Sequence, residues 1–365
     1  VPAVDWITIR KFRSIRSIER FALSNVNVLI GPNGAGKSNL IGALSFLQDI
    51  RAGQLSRYVA RAGGAARILH FGGAKDKTLE LEVSFADEVN QYRIALVSGA
   101  GDLLLPVDEE VRFWNKQHPS PCTEQLWRHG AEAGISMAEN GKVAAYVRAR
   151  LASWRLYHFH DTSATATMKQ SAAVDDNRFL RPDGGNLAAF LYLLRVRHES
   201  SFRLIESTIR NIAPFFERFV LEPSALDPTR ISLEWKQQQS DAHFGAAELS
   251  DGTLRFMLLA TLFLQPVSLQ PSLILVDEPE LGLHPTAITN LAELIQHAAA
   301  SRQVLISTQS ATLLDSFAPE DVLVAEQRNG EMIIRRLEAA AYAEWMDEYS
   351  LGQLWGKNYL GGRPA

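Results

Sequence analysis

Apolar residues recur along this chain in two rhythms, alternation and a three-to-four-residue step. Trp6-Ile-Thr-Ile-Arg10 alternates as a half-buried strand does, and Val26 to Ile30 is a short apolar run that stops at glycines. After the glycines, from Gly36 on, Leu40, Ile41, Leu44 and Leu47 share one helical face. Leu79 to Phe85, Tyr92 to Val97 and Val111 to Trp114 read as strands between Gly and Asp turns, which predicts an antiparallel β subdomain over residues 76–115.

Ala144 to Trp154 predicts a helix that feeds a strand at Leu156 to Phe159. From Asn186 to Phe219 the pattern is helical, through Leu187, Leu191, Leu194, Phe202, Ile205, Ile209 and Ile212, yet too short in each part for a coiled-coil arm. Candidate strands at Val220 to Leu221 and Ile231 to Trp235 precede a polar segment, Gln237 to His243. Then helix Leu254 to Leu264, strand Leu273 to Val276, helix Ala287 to Ala299 and strand Val304 to Ser307 alternate, which predicts an α/β fold with a mostly parallel sheet.

A length of 365 residues suits roughly two domain-sized units. With 37 Lys and Arg against 41 Asp and Glu, the net charge of -4 excludes a globally basic nucleic-acid coat and leaves only local basic patches for DNA. The lone Cys122, in a Pro-Ser-Pro-Cys context, excludes an intrachain disulfide and points to a reducing, cytoplasmic setting. The longest strongly apolar run, Phe256 to Leu264, is too short to span a bilayer, so no membrane partner is expected. No secretory pattern opens the chain, and Val1 in place of methionine implies a processed or trimmed start.

The chemistry concentrates in two places. Gly31-Pro32-Asn33-Gly34-Ala35-Gly36-Lys37-Ser38, followed by Asn39, fits G-x-x-x-x-G-K-[ST] between a predicted strand and a predicted helix. In that pattern the glycines let backbone N–H groups turn toward phosphates, Lys37 reaches the β and γ phosphates, and Ser38 ligates Mg²⁺. Leu273 to Glu278 is an apolar strand that ends in two carboxylates at the edge where α/β sheets bind ligands. Asp277 is suited to hold Mg²⁺, and Glu278, which strand alternation aims elsewhere, to deprotonate an attacking water.

The order of a phosphate loop, Leu249-Ser-Asp-Gly-Thr253, the Asp277-Glu278 strand and Ser307-Thr-Gln-Ser310 resembles the ABC-type ATPases, over most of the chain, with Leu249 to Thr253 in the place of their signature segment and Ser307 to Ser310 in that of their downstream switch. Lys11-Phe-Arg-Ser-Ile15 and Glu278-Pro-Glu-Leu-Gly-Leu-His-Pro285 bring it nearest the RecF, SMC and OLD-like branch, including compact AAA-family ATPases. The resemblance implies a P-loop NTPase with ABC-ATPase head architecture. Lobe I would be residues 1–160 and 254–345, helical lobe II residues 161–253, and a C-terminal tail residues 346–365. It also implies an ATP-sandwiched homodimer, in which Ser250 and Gly252 of one copy touch the γ-phosphate held by the other, beside Asp251. A plain helix N-cap is the alternative for Ser250 and Asp251. Gln309 stands where the family usually presents a histidine toward the γ-phosphate. Arg13 matches a nucleotide contact of nearer members, or is solvated charge. His284 reads as a packing or dimer-seam residue.

Three readings of His158-Phe-His160-Asp161 stay open: a lobe-connecting loop with His160 or Asp161 as phosphate sensor, an independent metal site, and ordinary packing. The segment Trp345 to Pro364 is either a docking tail or packs on its own lobe. After Leu337 only 28 residues remain, too few for a TOPRIM nuclease, so any cutting would fall to an effector partner, a nuclease or toxin. The implied function is an ATPase that couples its cycle to DNA maintenance or anti-phage defence through DNA or that effector. The alternative is a nucleotide-gated clamp or scaffold with little turnover.

Overall fold

The computed structural model describes residues 4–73, 78–126, 130–137 and 142–362. Residues 76 and 77 of the expected β subdomain and the last three residues of the tail lie outside that set. Strands β1 (Val4–Phe12), β2 (Ile15–Ala22) and β3 (Val26–Ile30) lead into helices α1 (Lys37–Arg51) and α2 (Leu55–Ala62). A meander follows, β4 (Thr78–Phe85), β5 (Asn90–Ser98), β6 (Leu104–Phe113) and β7 (Cys122–Gln125), then α3 (Lys142–Ala152) and β8 (Trp154–Tyr157). The middle holds β9 (Ala172–Ala173), α4 (Leu187–Arg197), α5 (Glu199–Ile212), β10 (Phe216–Val220), β11 (Arg230–Ile231), β12 (Glu234–Gln237) and β13 (His243–Gly245). The last third runs α6 (Asp251–Leu264), β14 (Leu273–Asp277), α7 (Pro285–Ala299), β15 (Gln303–Ser307), α8 (Ala311–Leu314), β16 (Val322–Arg328), β17 (Glu331–Arg336), α9 (Ala339–Met346) and α10 (Leu351–Gly356).

Two six-stranded sheets carry the architecture. One is antiparallel, in the order β2-β1-β4-β5-β6-β7. The other, β17-β16-β3-β15-β14-β8, is parallel except for β17 at its edge. Its inner strands are apolar at every step because both faces are covered, and the pleat divides their side chains between two cores. Val28, Ile274, Val276, Val304 and Ile306 face α4 to α7, whereas Leu29, Leu273, Leu275 and Leu305 face α1 and the antiparallel sheet. The ends of β3, β14 and β15 thus meet along one edge, held from both sides.

Phe216 and Phe219 lie in strand β10, not in the helix that their spacing suggests. A register shift in the β10–β12 pairing between Phe216 and Arg218 lets both rings point inward, so a bulged strand imitates a helical step. The tail packs on the body: Leu351, Leu354 and Leu360 join the larger core, and Trp345 stacks on Tyr359. Cys122 is exposed on edge strand β7. No described helix is long and apolar enough to cross a membrane.

Candidate functional site

The loop from Gly31 to Gly36 leaves β3 and turns into α1, whose buried stripe Leu40, Ile41, Leu44 and Leu47 fixes the helix against the sheet. Gly31 has φ +154°, and a Cβ there would stand 2.4 Å from the Ala325 carbonyl oxygen on β16. Gly36 caps α1 with φ +98°, and its missing Cβ leaves room for Ser14 Oγ and Met332 Sδ. Pro32, Asn33, Gly34, Gly36, Lys37, Ser38, Asn39 and Glu278 line one open cleft of about 500 Å³, while Ala35 is buried behind it.

Lys37 is buried, and its Nζ donates to Gly31 O at 2.6 Å and Pro32 O at 3.1 Å. Burial lowers its pKa, against the pull of Glu278, Asp277 and Glu280. An incoming phosphate would take the place of these two carbonyls, and the glycine conformations are those a phosphate cradle needs. The chain's own residues therefore fit a nucleotide phosphate.

Asp277 ends β14, and its Oδ1 accepts a hydrogen bond from Ser307 Oγ on β15. Glu278 adopts the left-handed region at φ +44°, an arrangement that costs a non-glycine residue about 1–3 kcal/mol and concentrates at functional sites. This turn, rather than the strand pleat, aims Glu278 at the phosphate loop, with its N–H anchored on Ser307 O at 3.0 Å. Gln309 Nε2 donates to Glu278 Oε1, which puts the switch residue directly on the candidate base.

Glu280 joins these carboxylates from the loop after β14. Its Oε1 accepts from Thr308 Oγ1 at 2.6 Å and from the Gln309 N–H at 3.0 Å, while its buried Oε2 has no partner. Burial, and to a lesser degree the Glu278 charge, push its carboxyl above the ordinary range. The signal was present in Asp277-Glu-Pro-Glu280, which adds a third acid to Asp277 and Glu278.

Arg13 sits behind the cradle, with Nη1 3.5 Å from Asn39 Oδ1 and Nη2 donating to Tyr58 Oη at 3.2 Å. Asn39 in turn donates to Ser14 Oγ at 2.7 Å.

The signature segment lies apart from this cleft. Ser250 caps α6, its Oγ accepting from the Thr253 N–H at 3.2 Å. Asp251 pairs with Lys169 Nζ at 3.2 Å, and that hydrogen bond pulls its carboxyl below the usual range. A Cβ on Gly252 would stand 2.5 Å from Gly282 O, so the loop after β14 runs hard against α6. Buried Arg255 ties this corner together, donating to Phe159 O at 2.8 Å, to His160 O at 3.3 Å and to Leu281 O. His284 caps α7, next to the same loop.

A glycine cradle at the end of a central parallel strand, faced by carboxylates from a strand two places away, defines a P-loop protein of the ABC-type head class. Residues 26–315 match the family described as "AAA domain, putative AbiEii toxin, Type IV TA system", and the chain belongs to that family. Among solved structures it is similar to an SMC head bound to the C-winged helix domain of ScpA, with a TM-score of 0.61 and 16% identity over 93% of this chain and 99% of that one. It is similar also to the SMC head with an extended coiled coil from Pyrococcus furiosus, bound to the C-terminal domain of ScpA (0.61, 15%, 95% and 99%). The SMC head with a coiled coil and joint from Pyrococcus yayanosii follows at 0.54 and 12%, over 95% and 99% of the two chains. Among curated protein sequences none matches. The expected α/β head fold is therefore established, with its parallel core sheet and its antiparallel sheet.

Proposed function

We propose that this chain binds ATP with Mg²⁺ at the Gly31–Asn39 cradle and hydrolyses it, in a site that a second copy completes. The observation that carries this reading is Glu278, held in a left-handed turn over the cradle and touched by Gln309. Lys37, freed from its own loop carbonyls, holds the phosphates, and Arg13 borders the cradle through Asn39. Ser38 and Asp277 would hold Mg²⁺, which when bound neutralises charge on the transferred phosphoryl group. Glu278 orients and deprotonates water, and Gln309 fixes the carboxylate, donating or accepting without titrating.

Exposed Ser250 and Asp251, at the capped start of α6, are separate from the cradle of their own chain. With Gly252 they suit a role toward a neighbour's γ-phosphate. In this reading residues 1–160 and 254–345 form the catalytic lobe, and 161–253 carry the signature. The family description names a putative toxin and a toxin system, which supports a role in defence; an ATP-driven output to an effector partner in the cytoplasm is the form we give that role. DNA as the recipient would rest on arginines such as Arg148, Arg150 and Arg155, and binding would then fall steeply with salt. The bond from Gln309 to Glu278 favours one second reading, a nucleotide-gated clamp with slow turnover, since the Oε1 that would take a proton from water already holds the amide of Gln309.

Solution mass against ATP concentration, with phosphate release assayed in the same samples, tests the proposal for wild type and Glu278→Gln. Phosphate release should fall about 10²–10⁴-fold while the variant accumulates an ATP-dependent dimer. Constant mass in a wild type that still hydrolyses ATP would remove the cross-copy role of Ser250. Dimerisation with negligible wild-type turnover would favour the clamp.

A further inference from the structure

Strands β8 and β14 run parallel and in register, from Trp154 beside Leu273 to Tyr157 beside Val276. One step beyond that ladder, His158 stands next to Asp277, and His160, two residues on, returns toward the same side. One ring nitrogen from each histidine and one Asp277 oxygen lie within 4.8 Å of one another, and the two imidazole centroids are 6.2 Å apart.

The backbone around this triad is anchored. The His158 N–H donates to Pro182 O at 3.1 Å, Phe159 is buried between the two histidines, and Arg255 holds the Phe159 and His160 carbonyls. Ser307 donates to Asp277, the kind of outer partner that fixes a ligating carboxylate. Both imidazoles are exposed and open to an arriving ion.

We propose that His158, His160 and Asp277 hold one divalent transition-metal ion of the Mn²⁺, Fe²⁺ or Zn²⁺ class. Two imidazoles and one carboxylate are borderline donors that suit these ions, whereas Mg²⁺ prefers an all-oxygen octahedron. Bonds of about 2.0–2.2 Å allow ligand atoms no more than about 4.3 Å apart, so small side-chain rotations close the triad. Three protein ligands leave positions for water or another oxygen donor. The site shares Asp277 with the nucleotide reading and needs no nucleotide to form.

Co²⁺ is the probe, added to the nucleotide-free full chain and followed by its visible ligand-field absorption and by calorimetry. One Co²⁺ should bind per chain, with affinity at least about tenfold weaker in His158→Ala and in His160→Ala, and unchanged in His243→Ala, a surface histidine elsewhere. Zn²⁺ or Mn²⁺ should displace it, and equimolar Mg²⁺ should not. Absence of Co²⁺ bands, or equal affinity in the double histidine variant, would overturn the site. Where the variants fold poorly, pulsed electron paramagnetic resonance of Mn²⁺ on wild type decides: imidazole nitrogen couplings support the triad and their absence refutes it. ATP binding measured in parallel separates the two readings, because loss of nucleotide binding with intact Co²⁺ bands counts against the ATP site alone.

Discussion

The phosphate loop is closed from within, by Lys37 on Gly31 and Pro32, and meets distant Ala325 and Met332 only at its glycines, whereas the signature segment has its charged partner, Lys169, far off in sequence. Gly31 to Asn39 curl around their own carbonyls, with Lys37 satisfied inside the loop. Ser250 to Gly252 keep a local N-cap but lean on Lys169, on Gly282 and, through Arg255, on Phe159 and His160. A cradle closed by local backbone can bind alone. An exposed helix start braced from behind presents its free face outward, where another molecule can meet it.

The strongest way to break this contrast is Lys37→Ala. Losing two charge-assisted hydrogen bonds to phosphate oxygens, of about 1.5–3 kcal/mol each, should weaken ATP binding about 10²–10⁴-fold. Ser250→Ala should leave binding by a single chain within about twofold and weaken only ATP-dependent association. Titration with a fluorescent ATP analogue, set beside sedimentation, reads both, and equal losses would erase the distinction.

Next in size is Arg255→Ala, which strands three carbonyls around a buried corner and should cost about 2–4 kcal/mol in denaturant melts. Arg255→Lys should recover less than half of that, since an ammonium lacks the guanidinium fork. Gly252→Ala forces a methyl group toward Gly282 O and should cost about 1–3 kcal/mol, with the association step hit harder than nucleotide binding.

The smallest effect sharpens the cradle side. Because burial raises the Glu280 carboxyl, the folded chain binds its proton more tightly than the unfolded chain does. Stability from this group is present at low pH and is lost as pH rises through the raised value. Glu280→Gln removes that loss and keeps an oxygen for Thr308 and Gln309. The variant should melt higher than wild type near neutral pH, with the gap closing toward about pH 4. A constant gap across that range would mean that Glu280 does not titrate there.

What could be read in the sequence was local. Strand β3, the Gly31–Ser38 loop and the stripe on α1 announce themselves through period and glycine spacing. Non-local geometry hid the rest. Strand β6 begins at Leu104, well before the readable Val111, because Pro106 falls at a register shift and Asp108-Glu-Glu110 resembles a turn. Glu109 is in fact buried, accepting hydrogen bonds from Tyr92 Oη at 2.8 Å and from the Ile135 N–H at 2.9 Å. The meeting of His158 and His160 with Asp277 needs β8 beside β14, a pairing across more than a hundred residues that no periodicity reports.

The placement of β3 also governs how the chain comes into being. Its neighbours are β15 and β16, Val26 lying opposite Val304 and Val28 opposite Val322, so the central strand is made early and its partners late. At about 5–20 residues per second, the ribosome needs roughly 14–55 s between Ile30 and Ser307. Through that interval Val26 to Ile30 have neither lateral partner, a sticky apolar strand on a nascent chain. The nucleotide cradle at its end can mature only once synthesis is nearly finished, so chaperone supply and translation speed should decide how much active protein a cell obtains.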